Sequence, residues 1–337
     1  MNDDGVSADF SFSRLTPDVT ITALESVGLF PSSGLLALNS YENRVYQFLA
    51  DDGKRYVTKF YRPARWRTEQ IQEEHDFCAE LLAAEVPVVA PMMLTHAETG
   101  ANATLHEFNG YRFCVFPSVG GRSFEADDLD SLERLGMQIG RLHSVARAGQ
   151  FVTRPQLNYT DFVTHSVATL AQSELVPDNI RTAFMAILKP LAEALQGYDL
   201  SRYAQQRLHG DCHLGNILQR DDILTLVDFD DARSGPAIQD LWMMLSGPRE
   251  QQLMQLDALL SGYEEFCEFD NAELALVEPL RGFRIIHYMA WLARRWDDAA
   301  FRRAFPWFAE QYYWEQQVLT LKEQLAALAE PALQLYP

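Results

Sequence analysis

The chain has 337 residues, of which 47% are hydrophobic and 12% aromatic, ample for a packed core in one large or two compact units. Its 47 acidic against 28 basic residues leave a net charge of −19, the wrong sign for nonspecific binding to nucleic acid or to an anionic membrane surface. Such a surface fits a cationic substrate, or is simply well solvated. Cys78, Cys114, Cys212 and Cys267 lie far apart and form no C-x-x-C pair, so neither a zinc site nor a disulfide framework is indicated. The acidic start Met1-Asn2-Asp3-Asp4 is unlike a signal peptide, and no apolar run reaches the roughly 18 residues needed to cross a bilayer. A cytoplasmic protein without a membrane partner is expected, and the oligomeric state is not legible.

Residues before about Thr16 read as a loosely held tail. A short helix is predicted from Pro17 to about Val27, with Asp18 in its first turn and Gly28 just past its end. Leu35–Leu38 and Arg44–Leu49 read as strands around the turn Asn39-Ser40-Tyr41-Glu42-Asn43, and Tyr56–Tyr61 as a third. Lys59 stands mid-strand among apolar and aromatic residues, an expensive place for a cation unless it has a partner. The alternative is an edge-strand lysine pointing to solvent. In the predicted helix Thr68–Ala84, Ile71, Cys78, Leu81 and Leu82 recur at three- and four-residue steps. Glu74 falls on that stripe and Glu73 off it, so Glu74 is the first choice to pair with Lys59 and Glu73 the competing one. Val86–Pro91 runs into a predicted fourth strand, and Tyr111–Phe116 is a fifth, apolar enough to be central. Pro117–Gly121 breaks the strand pattern and reads as a linker.

Helices dominate the rest. Asp128–Arg147 carries Leu132, Leu135, Ile139 and Leu142 inward, and its His143 reads as a hydrogen-bonded structural histidine. Tyr159–Tyr203 is helical and irregular, with breaks expected at Pro177 and Pro190. A turn at Ser234-Gly235-Pro236 leads into a helix near Ala237 that holds Asp240 in its first turns. Gln251–Gly262, Asn271–Trp296 and Trp307–Leu328 are further helices. The predicted class is α+β, divided into residues 1–116, a linker at 117–121, and residues 122–337.

The densest chemistry lies at Leu208-His209-Gly210-Asp211-Cys212-His213-Leu214-Gly215-Asn216, answered by Leu226-Val227-Asp228-Phe229-Asp230-Asp231. Asp211 and Asn216 present a carboxylate and an amide oxygen on one loop, and a short apolar strand ends on Asp228. Phosphoryl transfer needs this inventory: one carboxylate to orient the acceptor hydroxyl, and an amide oxygen and second carboxylate to hold magnesium against nucleotide phosphates. Asp230 either assists the metal or caps the turn.

The strings H-G-D-x-H-x-x-N and V-D-F-D resemble the catalytic core of the protein-kinase-like superfamily, in the branch of aminoglycoside phosphotransferases and choline kinases. That resemblance implies a bilobal fold with a small β-rich nucleotide-binding lobe and a larger helical lobe. It implies ATP and Mg2+ as cofactors, Lys59 as the lysine on the α- and β-phosphates, and backbone groups from Phe116 to Val119 on the adenine. It also implies an aspartate, here Asp240, that props the catalytic loop through its backbone. The glycine-rich phosphate loop of kinases is absent; Ser40 and neighbouring N–H groups stand in its place, or Asn39 and Ser40 merely form the turn.

Over nearly the whole chain, segments such as Leu38–Gln47, Phe60–Pro63, Val115–Arg122, Asp231–Arg233 and Trp291–Trp296 resemble the bacterial stress response kinase A family. Members are serine/threonine protein kinases, so the resemblance implies Asp211 as proton acceptor, Asn216 and Asp228 as magnesium ligands, and Ser40 in the ATP site. It implies protein substrates modified on serine or threonine. Two other readings stay open: a kinase of a hydroxylated, cationic metabolite, and a nucleotide-binding module without transfer.

Overall fold

The computed structural model describes residues 11–126 and 128–335, so most of the expected N-terminal tail lies outside the described residues. The chain is α+β, with sheet concentrated toward its start and helices after it. It divides into two compact units. One takes the described residues of Met1–Glu125, Phe151–Arg154 and Gly215–Ala232; the other takes those of Ala126–Gln150, Pro155–Leu214 and Arg233–Pro337.

The first unit is built on a five-stranded antiparallel sheet in the order Leu36–Ala37, Arg44–Leu49, Arg55–Phe60, Tyr111–Pro117, His106–Phe108. Alternation along Arg44–Leu49 and Arg55–Phe60 sends Phe48, Tyr56 and Phe60 to one face. There they pack with Tyr111, Phe113 and Val115 and with Ala23 and Leu24 of the helix Pro17–Glu25. Thr16 caps that helix by accepting from the Val19 N–H. The opposite face carries Lys59 and Cys114. The helix Thr68–Ala83 buries Ile71, Glu74, Phe77, Cys78 and Leu81 on one stripe, whereas Leu82, expected inward, is exposed.

Val86–Pro91, expected to run into a fourth strand, is itself irregular: Pro87 and Pro91 have no N–H to give a ladder, and Val88 makes a lone parallel bridge to Leu226. The strand that follows is the short Leu94–Thr95, which pairs with Asn102–Ala103 outside the five-stranded sheet. The edge beside Tyr111–Pro117 is taken by His106–Phe108. Ile217–Arg220 and Ile223–Leu226 form a tight hairpin with Asp221 at φ 54°, the left-handed conformation such a two-residue turn demands.

In the second unit, the helices Leu129–Ala146 and Arg249–Tyr263 cross at backbone contact. A Cβ at Gly136 would land on the Leu259 carbonyl, and one at Gly262 on the Glu133 carbonyl. Asp178–Gln196 runs unbroken through Pro190, contrary to the expected break there. Its buried Phe184, Leu188, Leu191 and Leu195 anchor the turns on both sides of the proline, and packing outweighs the lost backbone bond. The segment expected as one helix from Asn271 divides into a 3-10 turn Asn271–Leu276 and the helix Val277–Arg294. The helix expected from Ala237 is two 3-10 turns, Ala237–Asp240 and Trp242–Met244.

Candidate active site

In the first unit, Lys59 is 4% exposed and lies among three carboxylates. Its Nζ is 3.1 Å from Glu74 Oε1, 3.2 Å from Asp228 Oδ1 and 3.3 Å from Asp230 Oδ1. Burial pulls the ammonium toward neutrality, but Asp230, Glu74 and Asp228 outweigh it and hold the pKa well above that of an ordinary lysine. Of the two glutamates weighed as partner, Glu74 is at Lys59. Glu73 instead accepts from the N–H groups of Val152, Thr153 and Arg154 at 2.7, 2.9 and 2.8 Å.

Three arginine and asparagine contacts complete this cluster, and none has a motif to announce it. Arg154 is fully buried, with Nη1 3.4 Å from Glu74 Oε2 and Nε donating to the Ala232 carbonyl at 2.7 Å. Its Nη2 donates to the Asp230 carbonyl. Arg65 places Nη1 3.0 Å from Asp230 Oδ2 and Nη2 2.9 Å from Asp231 Oδ1. Burial alone would raise the Asp230 carboxyl, yet Arg65, Lys59 and Arg154 hold it far below the usual carboxylate range. Asn43, 2% exposed, accepts from the Arg62 N–H at 3.0 Å and ties the end of the Asn39–Asn43 turn to the sheet. Of the two roles weighed for Asp230, the buried ion pairs describe its surroundings here.

The hairpin register brings Asn216 and Asp228 to one end. Ile217 faces Leu226, so Asn216 comes opposite Val227, whose N–H it accepts at 3.0 Å, and Asp228 follows at once. Asp228 has φ 63°, ψ 73°, a left-handed conformation that costs a non-glycine residue of order 1–3 kcal/mol and that clusters at functional sites. Its carboxylate is 47% exposed while those of Glu74 and Asp230 are 2% and 5%. Ser40 is half-buried in the turn that joins the paired strands Leu36–Ala37 and Arg44–Leu49. Phe116 is half-buried and faces Val57 in the sheet; Val119, 38% exposed, lies just past the strand's end.

In the second unit, Asp211 follows Gly210, which has φ +86°, a conformation that suits glycine. Asp240 holds the loop by accepting from the His209 N–H at 2.7 Å and the Gly210 N–H at 2.8 Å. His143 stands behind it, Nε2 3.1 Å from Asp240 and Nδ1 2.9 Å from the Tyr263 hydroxyl, which is the structural setting expected for it. The Asp211 carboxylate meets His213 Nε2 at 3.5 Å and takes a hydrogen bond from Arg284 Nη1. Burial would raise its pKa, but the His213 hydrogen bond and the Arg284 charge press it far below the usual carboxylate range. Arg284 was invisible in the sequence: it lies 73 residues from Asp211 on a helix whose pattern reads as packing.

Residues 35–279 match the phosphotransferase enzyme family. The serine/threonine protein kinase RdoA of Salmonella typhimurium is 47% identical over 337 residues, covering 100% of this chain and 99% of that protein. The chain belongs to the stress response kinase A family of phosphotransferase enzymes. Stress response kinase A of Escherichia coli K12 is 46% identical over 328 residues, 97% of this chain and 98% of its own. Among solved structures, a microcompartment-associated aminopropanol kinase superposes with TM-score 0.69 at 18% identity, covering 94% of this chain and 99% of that one. Amicoumacin kinase hAmiN in complex with AMP-PNP, Ca2+ and Ami superposes with TM-score 0.64 at 19% identity over 85% and 88% of the two chains. At that identity the likeness establishes the fold: α+β, of the phosphotransferase type. Among the described residues no helix is long and apolar enough to cross a membrane.

Proposed function

We propose that this family member transfers the γ-phosphoryl group of ATP to serine or threonine hydroxyls of a protein, with Mg2+ as its metal ion. The observation that carries the reading is Lys59. A buried ammonium held between Glu74 and the half-exposed Asp228 is a fixed positive charge of the kind that clamps nucleotide phosphates. In this reading Ser40 and its neighbours cover the phosphates, and backbone groups from Phe116 to Val119, leading into the 117–121 hinge, meet the adenine.

Asn216 and Asp228 fit magnesium. Both offer hard oxygen donors at one end of the hairpin, and magnesium takes few protein ligands because phosphate and water supply the others. Bound there, the ion would offset charge on the transferring phosphate.

Asp211 accepts the hydrogen bond of the acceptor hydroxyl and orients its oxygen. A bond forms from that oxygen to the γ-phosphorus as the bond to the β–γ bridging oxygen breaks, ADP leaves, and the hydroxyl proton passes to Asp211. With its carboxyl held strongly acidic by His213 and Arg284, Asp211 is a weak base. A loose transition state asks little deprotonation of the nucleophile, so orientation is its larger part.

The test is transfer of labelled phosphate from magnesium-ATP by wild type and Asp211→Asn. The acceptors are none, a generic protein, and a panel of amino alcohols and aminoglycosides. Label on protein serine or threonine, absent with the variant, is expected. Label confined to one small molecule would overturn the protein acceptor, and nucleotide binding with no transfer at all would leave a binding module.

A further inference from the structure

The ion pair between Arg284 and Asp211 is not required by phosphoryl transfer. It draws electron density from an oxygen that has to take the acceptor's hydrogen bond, and so weakens the base it touches. Among the described residues Asp211 is the carboxylate that pairs with this guanidinium, and the Arg284 side chain is still 41% exposed. The surrounding helix reinforces the sign. The helix Val277–Arg294 carries Arg281, Arg284 and Arg294 against one acidic residue, Glu278, which pairs with Arg281 at 3.2 Å, in a protein of net charge −19. A second cation of the unit, Arg233, lies over the Phe162 ring at 4.9 Å, and Phe162 packs on Phe283, the neighbour of Arg284.

We propose that Arg284 is a specificity-determining residue that selects hydroxyls lying beside a carboxylate, as in a serine or threonine flanked by Asp or Glu in an acidic peptide, and rejects acceptors with an ammonium group beside the hydroxyl. The proposal rests on the reading of Asp211 as the group that orients the acceptor. A guanidinium offers five donors in a planar fork, so an acceptor carboxylate can take Nη2 and Nε while Nη1 stays with Asp211. The acceptor is then held at two points, its hydroxyl on Asp211 and its carboxylate on Arg284, which fixes the attacking oxygen. An ammonium in that position would face a like charge. The acidic surface elsewhere does not reverse this preference, because at physiological ionic strength exposed charges are screened beyond about 8 Å.

The experiment compares kcat/KM for two matched acceptor sets, using wild type, Arg284→Gln and Arg284→Lys. One set is a serine peptide with Glu, Gln or Lys on either side of the serine. The other is a hydroxy acid and an amino alcohol of equal chain length. Wild type is expected to favour the acidic over the basic member by about tenfold or more, the size of one charge-assisted contact, chiefly through KM. Arg284→Gln should shrink that ratio to within about threefold, and Arg284→Lys should restore most of it. Equal rates on acidic and basic members in wild type would overturn the proposal. So would a uniform slowing of every acceptor in Arg284→Gln, which would make the residue a support for Asp211 alone. If only the small molecules are labelled, the protein-acceptor reading fails, and the hydroxy acid and amino alcohol still decide the role of Arg284. Thermal unfolding of each variant with and without magnesium-ATP separates these results from misfolding.

Discussion

The surroundings of Lys59 and of Asp211 hold their charges in opposite ways. Lys59, Glu74, Asp230 and Arg154 are nearly free of solvent, and each cation meets carboxylates or carbonyls on more than one side. Asp211 is 27% exposed; the His209 and Gly210 N–H groups just before it are held by Asp240, and its carboxylate by surface-reaching His213 and Arg284. The first arrangement is costly to assemble and stiff once made, because each buried charge loses its hydration and must recover it from fixed partners. The second leaves the Asp211 carboxylate able to exchange partners. In the proposed function, the rigid arrangement would suit a nucleotide whose phosphates never vary, and the open one an acceptor that has to be recognised and released.

Substitutions can separate these two arrangements. The largest effect is expected from Asp228→Ala, which removes the exposed carboxylate proposed to hold magnesium. Transfer should fall by about a thousandfold or more, with folding little changed, in a labelled-phosphate assay. Loss of stability in equal measure would instead make Asp228 a structural partner of Lys59. Lys59→Met strands buried carboxylates and should cost about 3–5 kcal/mol in urea unfolding. Adding Glu74→Gln should recover part of that loss, and strict additivity would show that the two side chains are not coupled.

In the second unit, Asp240→Ala leaves the His209 and Gly210 N–H groups without their acceptor. A cost of about 3 kcal/mol is expected, with transfer reduced because the Asp211 loop loses its hold. An unfolding midpoint equal to wild type would sink this role. The smallest effect concerns pH. Burial lifts Glu273 from 4.5 to about 7, although the Ile238 N–H donates to it. A carboxyl with its folded pKa raised favours the folded state below about 4.5, and that contribution drains away as pH rises through about 7. The shift corresponds to at most about 3 kcal/mol. Glu273→Gln should therefore flatten the fall in unfolding midpoint between these two pH values, and parallel curves would contradict it.

Much of this could be read from residue order, for identifiable reasons. The strands Arg44–Leu49 and Arg55–Phe60 are rich in β-branched and aromatic residues, and Glu74 shares a helical stripe with Ile71 and Cys78, so periodicity placed it on the buried face. The hairpin around Asp221 could have been foreseen from two short apolar runs joined by a pair of aspartates. Arg154 and Arg284 could not. Each is a single arginine with no spacing rule, and its partner lies about eighty residues away for Arg154 and 73 for Arg284. Val86–Pro91 shows a different limit: the run leads into a strand as expected, but residue order does not tell that this strand, Leu94–Thr95, is two residues long and pairs outside the main sheet. At Pro190 the residue alone predicts a break, and buried leucines on both sides keep the helix continuous.

The division of labour is tested most directly on Asp211→Asn, by measuring ATP affinity and single-turnover phosphate transfer in the same preparation. The account predicts affinity within about threefold of wild type and transfer slowed by at least about a hundredfold, the scale of a lost orienting and proton-accepting group. Transfer at the wild-type rate with intact folding would contradict it.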